Sequence, residues 1–349
     1  MPVRLTPAEV EQRLVFVISP PRAGSTLLQR MLGAHDAVAT LPEPHLITPL
    51  AFLGYHDTVD AAPYDHVNGA EAIRAFVDAL PGAEADYLDA LRAYATTLYG
   101  RALVAAGKER FVDKTPAYAL VLPFLTRLFP RARYVLLTRH PLAVFSSYAQ
   151  SFYDGDWQAA HAFNPVLERY VPALGRQLRG EGARVPWLQV GYEALVASPE
   201  AELEKLFSFL DLPNDPEAVR YGDKGPAKAG MGDPIQVNRQ SAPTTASVEK
   251  WAAELAHDAD KRRLAEGMIG RLSDADLAAW GHPREALWAP LEAGAERPPP
   301  QPPRNDYTLQ RRVMLAARSQ VRRRPAAQQA VRRLRYYCDV LLRDSLNAR

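Results

Sequence analysis

Five side chains in this sequence have types and spacings that could hold a charged group and move it: Arg22, Glu43, Lys114, Arg139 and Ser147. Three cations and a hydroxyl suit an anionic ligand, and a lone carboxylate suits proton abstraction. Arg22, Lys114 and Arg139 each lie at or just beyond the end of an apolar run. In an open parallel sheet, that is where ligands bind.

The first run, Leu14 to Ile18, is continuously apolar and partly β-branched, as expected of a parallel strand covered on both faces. Pro20 and Pro21 end it, and Arg22, Ala23 and Gly24 form a short loop. Gly24 lets the loop curl tightly so that backbone N–H groups can approach a ligand. Ser25 and Thr26 then open a helix to about Ala34, whose unpaired N–H groups and dipole favour an anion. The stretch is not G-x-x-x-x-G-K-[ST], because no Lys follows the Gly and the cation stands two positions before it.

A second strand–turn–helix repeats the design. Tyr134 to Thr138 reads as a strand, Arg139 sits at its carboxyl end, and Pro141 starts a helix. Ser147 falls within the first two turns, so its hydroxyl and the Arg139 guanidinium can converge on a second phosphate. Between these units, Phe111 to Thr115 is a short strand end before Pro116. If that strand is parallel to the first, Lys114 reaches the same edge as Arg22. A Lys at a helix N-terminus is misplaced against the dipole unless an anion is near. Glu43, between Pro42 and Pro44, lies in a restricted, extended segment that can return across the ligand end of the sheet. The plainer alternatives are a solvated loop Glu, a solvated Lys and a strand-end ion-pairing Arg. His45 competes with Glu43 as a base, because imidazole titrates near neutrality.

The segments Pro21-Arg22-Ala23-Gly24-Ser25-Thr26, Asp113-Lys114-Thr115-Pro116, Leu137-Thr138-Arg139-His140-Pro141 with Ser147, and Tyr192-Glu193-Ala194-Leu195 resemble, in order, the motifs of bacterial-type sulfotransferases that use 3′-phosphoadenosine 5′-phosphosulfate (PAPS). The resemblance covers roughly residues 14–255. It implies an α/β, P-loop-like three-layer fold with a central parallel sheet, flanking helices and a helical acceptor cap at about residues 50–110. It also implies a role for each motif. Arg22, Ala23, Gly24, Ser25 and Thr26 would form the 5′-phosphosulfate loop, and Arg139 and Ser147 would take the 3′-phosphate. Lys114 would stand beside the sulfuryl group with Glu43 as general base, and Tyr192 would lie near the nucleotide. A Gly- and Pro-rich segment over residues 221–250 would close over the adenosine, with Lys250 and Trp251 as its candidate contacts.

Composition and charge bound the rest. The single cysteine, Cys338, excludes an internal disulfide framework and fits a reducing compartment. No signal peptide or transmembrane run is apparent, so a cytoplasmic enzyme is expected. No His, Cys or carboxylate cluster has metal-ligand spacing, so no metal is expected. A domain over 1–290 is followed by a Pro-rich linker, 291–304, and a helical tail, 305–349. The tail has eleven Arg against three Asp, a net +8; with +2 for the whole chain, residues 1–304 carry −6. Such a tail suits peripheral contact with an anionic membrane or an acidic partner, or it packs back on the body. It lacks the interleaved aromatics of a nucleic-acid binder. The reaction expected is sulfuryl transfer to a hydroxyl or amine of a small-molecule, glycolipid or carrier-bound acceptor. Two alternatives stand beside it: an atypical P-loop small-molecule kinase, and a non-catalytic anion- or membrane-binding protein acting through the tail.

Overall fold

The computed structural model describes residues 5–41, 43–51, 66–222 and 241–295, with Arg324, Ala326, Gln329, Ala330 and Leu334 of the tail. Pro42, part of the region read as a cap, most of the Gly-rich segment, the linker and most of the tail lie outside the described residues.

Five segments form strands: β1 (Leu14–Ile18), β2 (Val38–Thr40), β3 (Arg110–Lys114), β4 (Arg133–Thr138) and β5 (Trp187–Gly191). They make one sheet in the order β2-β3-β1-β4-β5, with every pair parallel. All five residues of β1 are fully buried, as its continuous apolar composition requires of a central strand. The chain leaves β1 toward β2 on one side and leaves β4 toward β5 on the other. Because β1 and β4 are neighbours, their carboxyl ends flank a topological switch point, the place where such sheets open a crevice.

Alternation along β3 sets up the layers. Lys114 turns to the face covered by the helix Ser25–Ala34, where its Nζ reaches Thr26 Oγ1 at 3.4 Å. Asp113, one residue earlier, turns to the opposite face, where it meets Tyr99 of the helix Glu84–Ala106. That helix buries Leu88, Leu91, Ala95, Tyr99 and Leu103. Tyr99 also packs against Phe16 and Phe111, with ring centroids 6.3 and 5.2 Å away. The helix Glu84–Ala106 is therefore a layer of the fold, on the face of the sheet opposite Lys114. Its apolar positions read as helical in the sequence, but the surface they cover belongs to strands distant in sequence.

Residues 241–295 join the same body through one buried carboxylate. Glu254, on the helix Lys250–Ala256, accepts hydrogen bonds from Ser146 (2.6 Å), Gln150 (3.2 Å), Trp157 (3.1 Å) and Lys261 (2.6 Å). A buried carboxylate needs such saturation to be tolerated.

Candidate active site

The loop after β1 is held in conformations few residues adopt. Arg22 has φ +71° and Gly24 φ +98°. Gly24 is required twice over: it sits in the left-handed region, and a Cβ there would stand 2.3 Å from Cδ2 of Tyr192. A non-glycine residue such as Arg22 in that region marks a backbone held in place by its surroundings. What holds it is the second unit. Arg139 donates to the Arg22 carbonyl at 3.1 Å, and Arg22 Nε donates to Ser147 Oγ at 3.2 Å. The two strand–turn–helix units thus interlock across the switch point, with the N-terminus of the helix Ser25–Ala34 opening between them.

Arg139 is 6% exposed and closely held. Besides the Arg22 carbonyl it donates to the Ser247 carbonyl at 2.9 Å, and its guanidinium lies 4.2 Å over the Tyr192 ring. Tyr192 in turn bonds Ser247 Oγ at 2.7 Å. The Nε of Arg139 is buried with no hydrogen-bond partner among the described residues.

At the other end of the loop, Lys114 is 1% exposed and its Nζ donates to Glu43 Oε1 at 2.5 Å. Register puts Lys114 opposite Val17, one residue before β1 ends, so the ammonium reaches the same edge as Arg22. His45 Nε2 stands 3.6 Å from Glu43 Oε2, outside hydrogen-bond range, on a residue with φ +53°. The structure therefore gathers Arg22, Gly24, Ser25, Thr26, Arg139, Ser147 and Tyr192 around one loop and pairs Glu43 with Lys114 beside it. Ala23 is fully buried in the loop.

Two candidates are not brought to it in the form expected. Lys250 is exposed at the start of its helix. Trp251 is 1% exposed, with its ring stacked on His140 at 4.1 Å, so its faces are covered by protein. The sequence displays a Trp near a ligand loop but not the imidazole that covers it.

Several buried polar groups packed around these residues are not singled out by the sequence. Asp113 is fully buried and accepts from Tyr99, Tyr118 and Thr115 at 2.6, 3.1 and 3.0 Å. Burial pushes its pKa up against the pull of these three hydroxyls. Trp280 Nε1 donates to the Arg139 carbonyl at 2.9 Å. His140 bonds the Leu287 carbonyl through Nε2, and its backbone N–H is received by Glu193. Burial works to raise the Glu193 pKa, but His282, 3.7 Å away, and that N–H outweigh it and hold the carboxyl below its usual range.

Burial, then the neighbouring His282, pushes the His140 pKa down to about 3. Unfolded, the same imidazole titrates near ~6.5. Between those values the unfolded chain binds more protons, so the stability contributed by neutral His140 is lost as pH falls through that window. Thermal unfolding midpoints at pH 7, 5 and 3.5 should fall less steeply in His140→Gln than in the parent.

Among the described residues no group of three or more His, Cys, Asp or Glu is placed to hold a metal, and no helix is long and apolar enough to cross a membrane.

The site can now be set beside known proteins. The chain is 28% identical over 267 residues to the nodulation protein NoeE of Sinorhizobium fredii, covering 69% of this chain and 60% of that protein, so it spans less than two thirds of that relative. It is 25% identical over 241 residues to a putative protein-tyrosine sulfotransferase of Caenorhabditis briggsae, covering 64% of this chain and 74% of that one. A solved sulfotransferase domain from the curacin biosynthetic pathway aligns with 22% identity and a TM-score of 0.48, over 73% of this chain and 96% of that domain. The model of the sulfotransferase family matches residues 15–216, from β1 through β5 and beyond, and so spans both interlocked units, Glu43 and Lys114. The chain belongs to the sulfotransferase family.

Proposed function

We propose that this chain transfers a sulfuryl group from PAPS to a hydroxyl or amine of a small-molecule, glycolipid or carrier-bound acceptor. The observation that carries the reading is the interlock of Arg22, Arg139 and Ser147, which sets two anion-binding ends side by side on β1 and β4. A donor with phosphate at both its 5′ and 3′ positions fits that pairing. The buried Nε of Arg139 fits it too, because a phosphate oxygen would satisfy a charged donor that has no partner among the described residues.

PAPS supplies an activated sulfuryl group whose leaving group is 3′-phosphoadenosine 5′-phosphate (PAP). The residues of the chain do the rest. The amides around Gly24, Ser25 and Thr26, with Arg22, would hold the 5′ end. Arg139 and Ser147 would hold the 3′-phosphate, with Tyr192 against the nucleotide. Lys114 would meet the negative charge that grows as the bond to the donor lengthens. Glu43 would take the acceptor proton, with His45 beside it as the other candidate base. The basic tail is proposed to meet an anionic membrane surface or an acidic partner.

Calorimetric titration with PAP and with ADP tests the donor. PAP is expected to bind and ADP to bind far more weakly. Arg139→Ala should weaken PAP by about 100-fold, the scale of two lost charge-assisted hydrogen bonds. Equal affinity for the two nucleotides, or PAP binding that survives in Arg139→Ala, would overturn the reading in favour of a kinase-like site.

A further inference from the structure

We infer that Asp113 and Tyr118 are positioning residues: through a buried hydrogen-bond chain on the far side of the sheet they hold Glu43 against Lys114. The inference rests on the reading of Glu43 and Lys114 as the proton-accepting and charge-bearing pair.

Lys114 and Asp113 are consecutive in β3 and point to opposite faces. Asp113 lies opposite Phe16 in register, among the rings of Phe16, Tyr99 and Tyr118. A carboxylate there has no access to water, and three hydroxyls supply what water would. Two of them are ordinary satisfiers. Tyr118 does more.

Its hydroxyl gives its proton to Asp113 and accepts the backbone N–H of Ile47 at 3.1 Å. Ile47 is fully buried and opens the short helix Ile47–Ala51, so this N–H is one of the donors a helix start leaves unpaired. The link fixes Ile47 only four residues beyond Glu43. Pro44 lies between them with φ locked and restricts Glu43 to extended conformations. His45 adds a left-handed turn at φ +53°. A tether this short and stiff transmits the position of Ile47 to Glu43. Asp113 therefore anchors both sides of the 2.5 Å contact, Lys114 by covalent adjacency and Glu43 through Tyr118 and Ile47.

Tyr99 supplies the control, because it bonds the same Asp113 oxygen as Tyr118, whereas the Ile47 N–H is received by Tyr118. Residues that communicate only through such a chain show coupling in a double-mutant cycle, whereas independent sites add. Thermal unfolding is measured for Glu43→Gln in three backgrounds: parent, Tyr99→Phe and Tyr118→Phe. Removing the negative charge that faces nearly buried Lys114 should lower the midpoint by several degrees in the first two backgrounds and by less than half as much in Tyr118→Phe. PAP affinity should stay within twofold in Tyr118→Phe. PAP release from PAPS at saturating donor should fall at least tenfold, with little change in its KM for PAPS.

Equal midpoint shifts in all three backgrounds would overturn the inference, even where PAP release is too slow to follow. The same shifts in Tyr99→Phe and Tyr118→Phe, both reduced, would reduce the network to general packing and overturn it equally. Failure of the proton-acceptor reading has a different signature: Glu43→Gln would release PAP at the parent rate while the coupling persisted.

Discussion

Glu43→Gln should bind PAP as the parent does and release PAP from PAPS about 10²- to 10⁴-fold more slowly, the usual span for a positioned general base. The amide keeps the shape of the side chain and can still accept from Lys114 Nζ, now 2.5 Å from Oε1. It cannot take a proton. Donor affinity should hold because the groups proposed to hold the nucleotide, Arg22, Arg139 and Ser147, make their contacts apart from Glu43. The check is PAP release measured with whichever of a phenol, a sugar hydroxyl or water serves as acceptor, beside a PAP titration. Near-parental turnover would move the proton to His45, whose Nε2 is 3.6 Å from the carboxylate, or directly to the acceptor.

Lys114→Ala should cost turnover about 10²- to 10³-fold, the scale seen when one preorganised donor is removed from a site of developing charge. Lys114→Arg should not restore it. At 1% exposure the ammonium occupies a closed space against Thr26 and Glu43, and the larger planar guanidinium has no room to turn there. Removing Lys114 and Glu43 together should cost about as much as removing the worse of the two, because residues that act as a unit are not additive. A double variant whose losses multiplied would show that they serve separate steps.

Much of this arrangement is legible in the chain because it is local. The run Leu14 to Ile18, two prolines, a glycine and a Ser-Thr pair are enough to read strand, turn and helix, and the stretch from Tyr134 to Ser147 repeats the pattern. The parallel pairing expected of β3 and β1 then carries Lys114 to the edge where Arg22 stands. The partners of these residues are not legible, because they arrive from afar. Glu43 meets Lys114 across 71 residues, Arg22 meets Ser147 across 125, and Arg139 meets Ser247 across 108. No periodicity encodes such contacts; only the strand order does. Asp113 is hidden for another reason: its three hydroxyls are close in sequence, on Tyr99, Thr115 and Tyr118, but no local pattern shows that β3 turns this carboxyl inward among them. Trp251 is a candidate contact by its place after the Gly- and Pro-rich segment, and the sequence does not show that His140 stacks on its ring.

The mutual hold of Arg139 on the Arg22 carbonyl and of Arg22 on Ser147 has a consequence for how the donor is weighed. Neither loop can shift without dragging the other, so the two ends of the proposed nucleotide donor would address a single rigid claw. Recognition of that kind is a chelate: once one phosphate is seated, the second finds its partners already in place and loses little further freedom. A nucleotide bearing only one of the two phosphates would then forfeit more than half of the binding free energy. The site would discriminate against the abundant mononucleotides of a cell without a single contact dedicated to rejecting them.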